Sequence, residues 1–134
     1  MKHFVLDPHM TAPVGGAFYP TGHSMVMFPS AEDASRVGHQ LIDNGFSGDE
    51  VYLIPSEVVL SEIAPTVREA ESPLPSAGTD AATVRTYARL AREGQTGLLV
   101  KTRDEAAAER LMCLVRLVPY SIAQRYRTLV IEDL

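Results

Sequence analysis

His23 to Ile54 reads HSMVMFPSAEDASRVGHQLIDNGFSGDEVYLI. The apolar run Met25-Val26-Met27-Phe28 is short enough for a strand. Ser30 follows as an N-cap, with Asp33 at the spacing of a capping box. Ala31, Ala34, Val37, Gly38, Leu41 and Ile42 then fall on one arc at helical periodicity, while Glu32, Arg36, His39 and Asp43 hold the other side. Gly45 suits the left-handed position after a helix end. A second apolar run, Val51-Tyr52-Leu53-Ile54, closes a strand–helix–strand unit.

The pattern recurs from Thr96 to Ile131. Gly97-Leu98-Leu99-Val100 reads as a strand. Thr102 and Glu105 repeat the capping spacing, and Ala107, Leu111, Leu114, Val115 and Val118 form the apolar face of a helix that stops before Pro119. Tyr126 to Glu132 reads as the last strand. Between the units, residues 56–93 form a helical insertion. Its first helix breaks near Pro65, because the residue before proline is pushed out of the α region. Residues 72–80 (SPLPSAGTD) read as a loop, and a helix runs from about Ala81 to Glu93 with Val84, Tyr87, Ala88 and Ala91 as its apolar stripe. The prolines and the Gly15-Gly16 pair of residues 1–22 exclude a long helix and make this an irregular N-terminal arm, with a short edge strand near His3 to Leu6, Phe18 and Tyr19 holding the arm down, and a turn at Gly15-Gly16.

These elements predict one α+β domain over 1–134: a ferredoxin-like βαβ-βαβ four-stranded antiparallel sheet, helices on one face, and the insertion between the halves. Both strand faces are apolar, since Met25 and Met27 alternate with Val26 and Phe28. The second face therefore needs a cover: the insertion, the arm or another subunit. On this ground a homodimer is expected.

At 134 residues, 46% hydrophobic and 22% charged, with net charge −5, the chain has the composition of a globular protein without an overall basic footprint for nucleic acid or an anionic membrane. Residues 1–80 carry 3 basic and 11 acidic side chains, net −8, and residues 81–134 carry 9 and 6, net +3. The single cysteine excludes an internal disulfide framework. No secretory leader or membrane span is read, so a cytoplasmic location is expected.

The pattern of a short apolar strand ending at Phe28, then Glu32-Asp33-Ala34, Leu41, Gly45-Phe46 and Val51 to Ile54, resembles the bacterial general stress (heat-induced stress) proteins. Gly97 to Val100 followed by Asp104-Glu105-Ala106 is similar to that family's later half. The resemblance covers about half the chain. The insertion and the long arm depart from it, and the family's glycine-rich segment is missing. It implies a ferredoxin-like fold and a cytosolic stress-associated role, and it brings no catalytic residues.

Candidate chemistry is sparse. Arg85, Arg89 and Arg92 share a helix side, and Arg125 and Arg127 share a strand face. Arginines grouped in this way hold phosphate or carboxylate; pairing with Glu57, Glu62, Glu69 and Glu71 is the structural alternative. Cys113 falls opposite its helix's apolar face near Arg110 and Arg116, where a thiol can become reactive; cover by the insertion or a second subunit is the plainer expectation. His3, His9 and His23 lie in or beside the arm without metal-ligand spacing and read as solvated or turn-capping, and His39 as a surface residue. Glu32-Asp33 and Asp104-Glu105 are explained by helix N-termini. No cofactor, metal or catalytic set is read. A non-enzymatic module binding a protein partner or small anion leads, ahead of a nucleic-acid-binding accessory protein and of a small enzyme with a pocket between sheet and insertion.

Overall fold

The computed structural model describes residues 1–67 and 78–134. The elements run β1 (Lys2–His3), β2 (His23–Phe28), α1 (Ala31–Asp43), β3 (Val51–Ile54), α2 (Ser56–Val58), α3 (Gly78–Arg92), β4 (Thr96–Lys101), α4 (Glu105–Val115), β5 (Ile122–Tyr126) and β6 (Ile131–Asp133). After α2 the chain continues as a π turn (Val59–Ile63) and a 3-10 turn (Ala64–Thr66) holding Pro65. No helix among the described residues is long and apolar enough to cross a membrane.

The local signals around α1 act as read. Ser30 accepts a hydrogen bond from the Asp33 amide at 3.2 Å, and Gly45 takes a φ of +106° just past the helix end. Asp33 does not complete a reciprocal box; its carboxylate pairs with Arg36 at 2.9 Å. At α4 the expected cap is corrected. Asp104, not Thr102, accepts from the Ala107 amide at 2.8 Å, so the helix starts at Glu105 and ends at Val115 rather than near Val118. Thr102 is buried instead, its hydroxyl 2.7 Å from that of Ser24. Helix α3 begins at Gly78, inside the stretch expected to be a loop; the rest of that expected loop lies outside the described residues.

Among the described residues the sheet order is β1-β3-β4-β2-β5-β6. The central pairs β3–β4, β4–β2 and β2–β5 are antiparallel, while β1 joins β3 in parallel at one edge and β6 joins β5 antiparallel at the other. The expected four-stranded antiparallel sheet is thus a six-stranded mixed one. The single last strand expected over Tyr126 to Glu132 is corrected: β5 already runs from Ile122 and ends at Tyr126, residues Arg127 to Val130 turn back, the Arg127 amide donating to the Val130 carbonyl at 2.8 Å, and β6 begins at Ile131.

Helices cover both faces, not one. Val26, Phe28, Leu98 and Val100 pack under α1 and α4 with Val37, Leu41, Leu111 and Val115. On the opposite face Met25, Met27, Ile54 and Leu99 are buried under Val59, Ile63, Val84, Tyr87 and Leu90 of the insertion and under Phe4, Phe18 and Tyr19 of the arm. The arm is closed by backbone bonds from Ala12 to the Ala17 carbonyl and from Tyr19 to that of Met10, both 2.7 Å, around the positive-φ pair Gly15-Gly16. The chain itself therefore covers the second face, and the ground on which a homodimer was expected is removed.

Candidate functional site

Three strand ends meet at one end of the sheet. Strand β2 starts there after Thr21-Gly22, β4 ends at Lys101 and leads through Thr102-Arg103 into α4, and β5 ends before Arg127. The junction is tied by backbone bonds of 2.9 Å from Gly22 to the Tyr126 carbonyl and from Thr102 to that of Gly22. Beside it lies a groove of about 530 Å³ lined by Thr21, Thr102, Arg103, Arg125, Arg127 and the turn that follows. The buried hydroxyl pair Ser24–Thr102 fixes the strands at its base, and Arg125 sits in register with Ser24 on one side and Glu132 on the other.

The three guanidiniums are differently occupied. Arg103 pairs with Glu50 at 3.4 Å and Arg127 with Glu132 at 3.6 Å, both with exposed arginines. Such surface pairs contribute little and open readily to a competing anion. Arg125 is half-buried and makes no ion pair among the described residues.

Arg103 also borders a second depression of about 600 Å³ with His23, Glu50, Tyr52 and Lys101. His23 and Lys101 are register partners. The His23 Nδ1 lies 3.1 Å from the Thr21 carbonyl, which can only accept, so this nitrogen carries the proton. Burial pushes the His23 imidazole below its ordinary value; the Thr21 carbonyl opposes that shift and the Lys101 charge adds to it. His23 thus caps a turn, one of the roles read for the arm histidines, while His3 and His9 are exposed.

The five arginines singled out in the sequence divide. Arg125 and Arg127 share the groove. Arg85 and Arg92 line a separate pocket of about 330 Å³ against Ala64 and Pro65, and Arg89 is exposed and pairs at 3.3 Å with Glu93, one residue past the end of its helix. Glu69 and Glu71, two of the expected partners, lie outside the described residues. The sequence pattern does not mark Arg103 and Thr102 as groove residues, because Thr102 stands at a capping distance from Glu105; the stronger cap, Asp104, is the signal that leaves them as a strand-end loop.

Cys113 is exposed, since the insertion expected to cover it lies on the other side of the sheet. Its neighbouring cations are engaged: Arg116 pairs with Glu109 at 3.3 Å, and Arg110 lies 4.5 Å over the Phe46 ring. Among the described residues no three His, Cys, Asp or Glu side chains are grouped to hold a metal ion. No protein-family model matches the chain, and neither does any curated protein or any solved structure with which it was compared.

Proposed function

We propose that this protein is a non-enzymatic binding module that takes a small anion, a phosphate or carboxylate, in the groove between Arg103, Arg125 and Arg127. The observation that carries the reading is that arginines from two separate strand ends line one groove, with Arg125 lacking a carboxylate partner among the described residues. Guanidiniums bind such groups with paired donors, and the hydroxyl of Thr21 can add a single donor. The chain as a whole carries −5, which disfavours a long polyanion and leaves a local anion as the better fit. The central order β3-β4-β2-β5, built from two strand–helix–strand units, supports a ferredoxin-like unit with β1 and β6 added at its edges. The stress-associated, cytosolic role stands on the resemblance of its strand and helix-start pattern.

Calorimetric titration with pyrophosphate at low salt tests the reading. Binding is expected to weaken as salt rises and to fall roughly tenfold or more in Arg125→Ala, the loss typical of one charged hydrogen-bonded contact. Arg89→Ala, outside the groove, serves as control. Equal affinity in Arg125→Ala and Arg89→Ala would sink the reading.

A further inference from the structure

The turn that closes the groove is chemically odd. Strand β5 ends at Tyr126 and β6 begins at Ile131, so four residues, Arg127 to Val130, make the connection. None of them is the glycine, asparagine, aspartate, serine or proline that ordinarily serves a turn. Leu129 is 92% exposed and Val130 58% exposed. Neither side chain is spent on the core, and turn geometry does not call for a leucine at the tip. Both border the groove that holds Arg103, Arg125 and Arg127.

We infer that the groove takes an amphiphilic anion: a small molecule whose phosphate or carboxylate lies against the arginines and whose short alkyl or aryl part lies against Leu129 and Val130. This rests on the anion reading above and narrows it. The groove's volume of about 530 Å³ is larger than a bare phosphate needs and falls within the roughly 300–1,000 Å³ usual for small-molecule sites. Charge complementarity selects the head group, and the unspent apolar pair selects what is attached to it. An anionic bilayer fits less well, because β6 carries Glu132 and Asp133 a few residues after the tip and the whole chain is acidic.

The test compares inorganic phosphate with hexyl phosphate by calorimetry on the full chain. Hexyl phosphate is expected to bind roughly tenfold tighter, the gain from covering part of two apolar side chains. In Leu129→Ser the ratio of the two affinities is expected to fall to about three or below, the remainder being the share of Val130, with an unchanged circular dichroism spectrum because the side chain is exposed. Arg125→Ala is expected to weaken both ligands. Equal affinities in the wild type overturn the amphiphile inference and leave the anion reading standing; no binding of either overturns both. Sedimentation with phosphatidylglycerol vesicles, or self-association, that Leu129→Ser abolishes while hexyl phosphate fails to bind also overturns it, in favour of a lipid surface or a second copy.

Discussion

Under α1 and α4, Val26, Val37, Leu41, Leu98, Val100, Leu111 and Val115 meet in a mostly aliphatic layer, while across the sheet Phe4, Phe18, Tyr19, Tyr87 and Tyr126 meet edge to face. The first layer comes from strands and from the helices that directly follow them. The second is gathered from the arm, the insertion and β5, and its rings form a chain of T-shaped contacts with centroids 4.9–6.4 Å apart. Aliphatic burial is non-directional, whereas edge-to-face rings and buried hydroxyls demand one arrangement. The aliphatic face can therefore be held by area alone, but the aromatic face must also satisfy its polar atoms.

The largest effect should come from breaking the aromatic layer at Phe18. Its ring is fully buried and touches the rings of Phe4, Tyr87 and Tyr126, and its amide donates to the Thr66 hydroxyl at 3.0 Å. Phe18→Ala is expected to cost about 3–5 kcal/mol in urea unfolding and to raise amide exchange across the arm. Leu111→Ala on the aliphatic side should cost about 2–5 kcal/mol without loosening the arm. A Phe18→Ala cost under about 1 kcal/mol would mean that the arm is not an integral layer.

That contrast also explains what could be read in advance. Strand β2, helix α1 and strand β3 were legible because Ser30, Gly45 and the alternation of Met25 to Phe28 act locally. The second face was legible only as a need: the alternation showed that something must cover Met25 and Met27, and both the insertion and the arm do. Which residues do so depends on contacts far apart in sequence, such as Phe18 with Tyr126, that no local pattern encodes. The hairpin at Arg127–Val130 was hidden for the opposite reason. Its turn carries β-forming residues and no turn residue, so it read as continuous strand, and the groove beside it stayed unrecognised apart from Arg125 and Arg127.

Removing hydroxyls sharpens the comparison at lower cost. The Tyr87 hydroxyl lies 2.9 Å from both Gln124 Oε1 and the Tyr126 hydroxyl. The amide oxygen can only accept, so Tyr87 donates to Gln124 and Tyr126 donates to Tyr87. Tyr87→Phe leaves a donor and an acceptor unmatched and should cost about 1–3 kcal/mol; Tyr126→Phe removes only the terminal donor and should cost about 0.5–1.5 kcal/mol. Burial raises both phenols above their ordinary value. The unfolded chain then ionises first, so stability is full below about pH 10 and falls as pH rises beyond it. Urea midpoints between pH 8 and 11 should show this fall, and the double variant Tyr87→Phe/Tyr126→Phe should flatten it.

The polar pair on the aliphatic face behaves differently. Ser24 and Thr102 hydroxyls have each other at 2.7 Å within a layer that otherwise asks only for area. Ser24→Ala alone strands the Thr102 hydroxyl and should cost about 1–2 kcal/mol. Adding Thr102→Val restores an apolar match of similar shape, and the double variant should recover most of the loss. Additive losses would show that the pair serves the groove's backbone geometry beyond its own bond.

The smallest effect should be at His23, where the aromatic side meets the groove end of the sheet. Burial holds its imidazole below the ordinary value near 6.5. As pH falls through that value the unfolded chain takes up a proton that the folded chain resists, so the contribution to stability is full above about pH 6.5 and is lost progressively below it. His23→Gln keeps a side chain able to donate to the Thr21 carbonyl but removes the titration. The two proteins should differ in the slope of melting temperature against pH between about 5 and 7, the wild type falling more steeply as acid is added. Because carboxylates titrate in both proteins, the difference isolates His23. Parallel curves would mean that the ring is hydrated enough to take its proton in the fold, and that this end of the sheet is as open as the groove beside it.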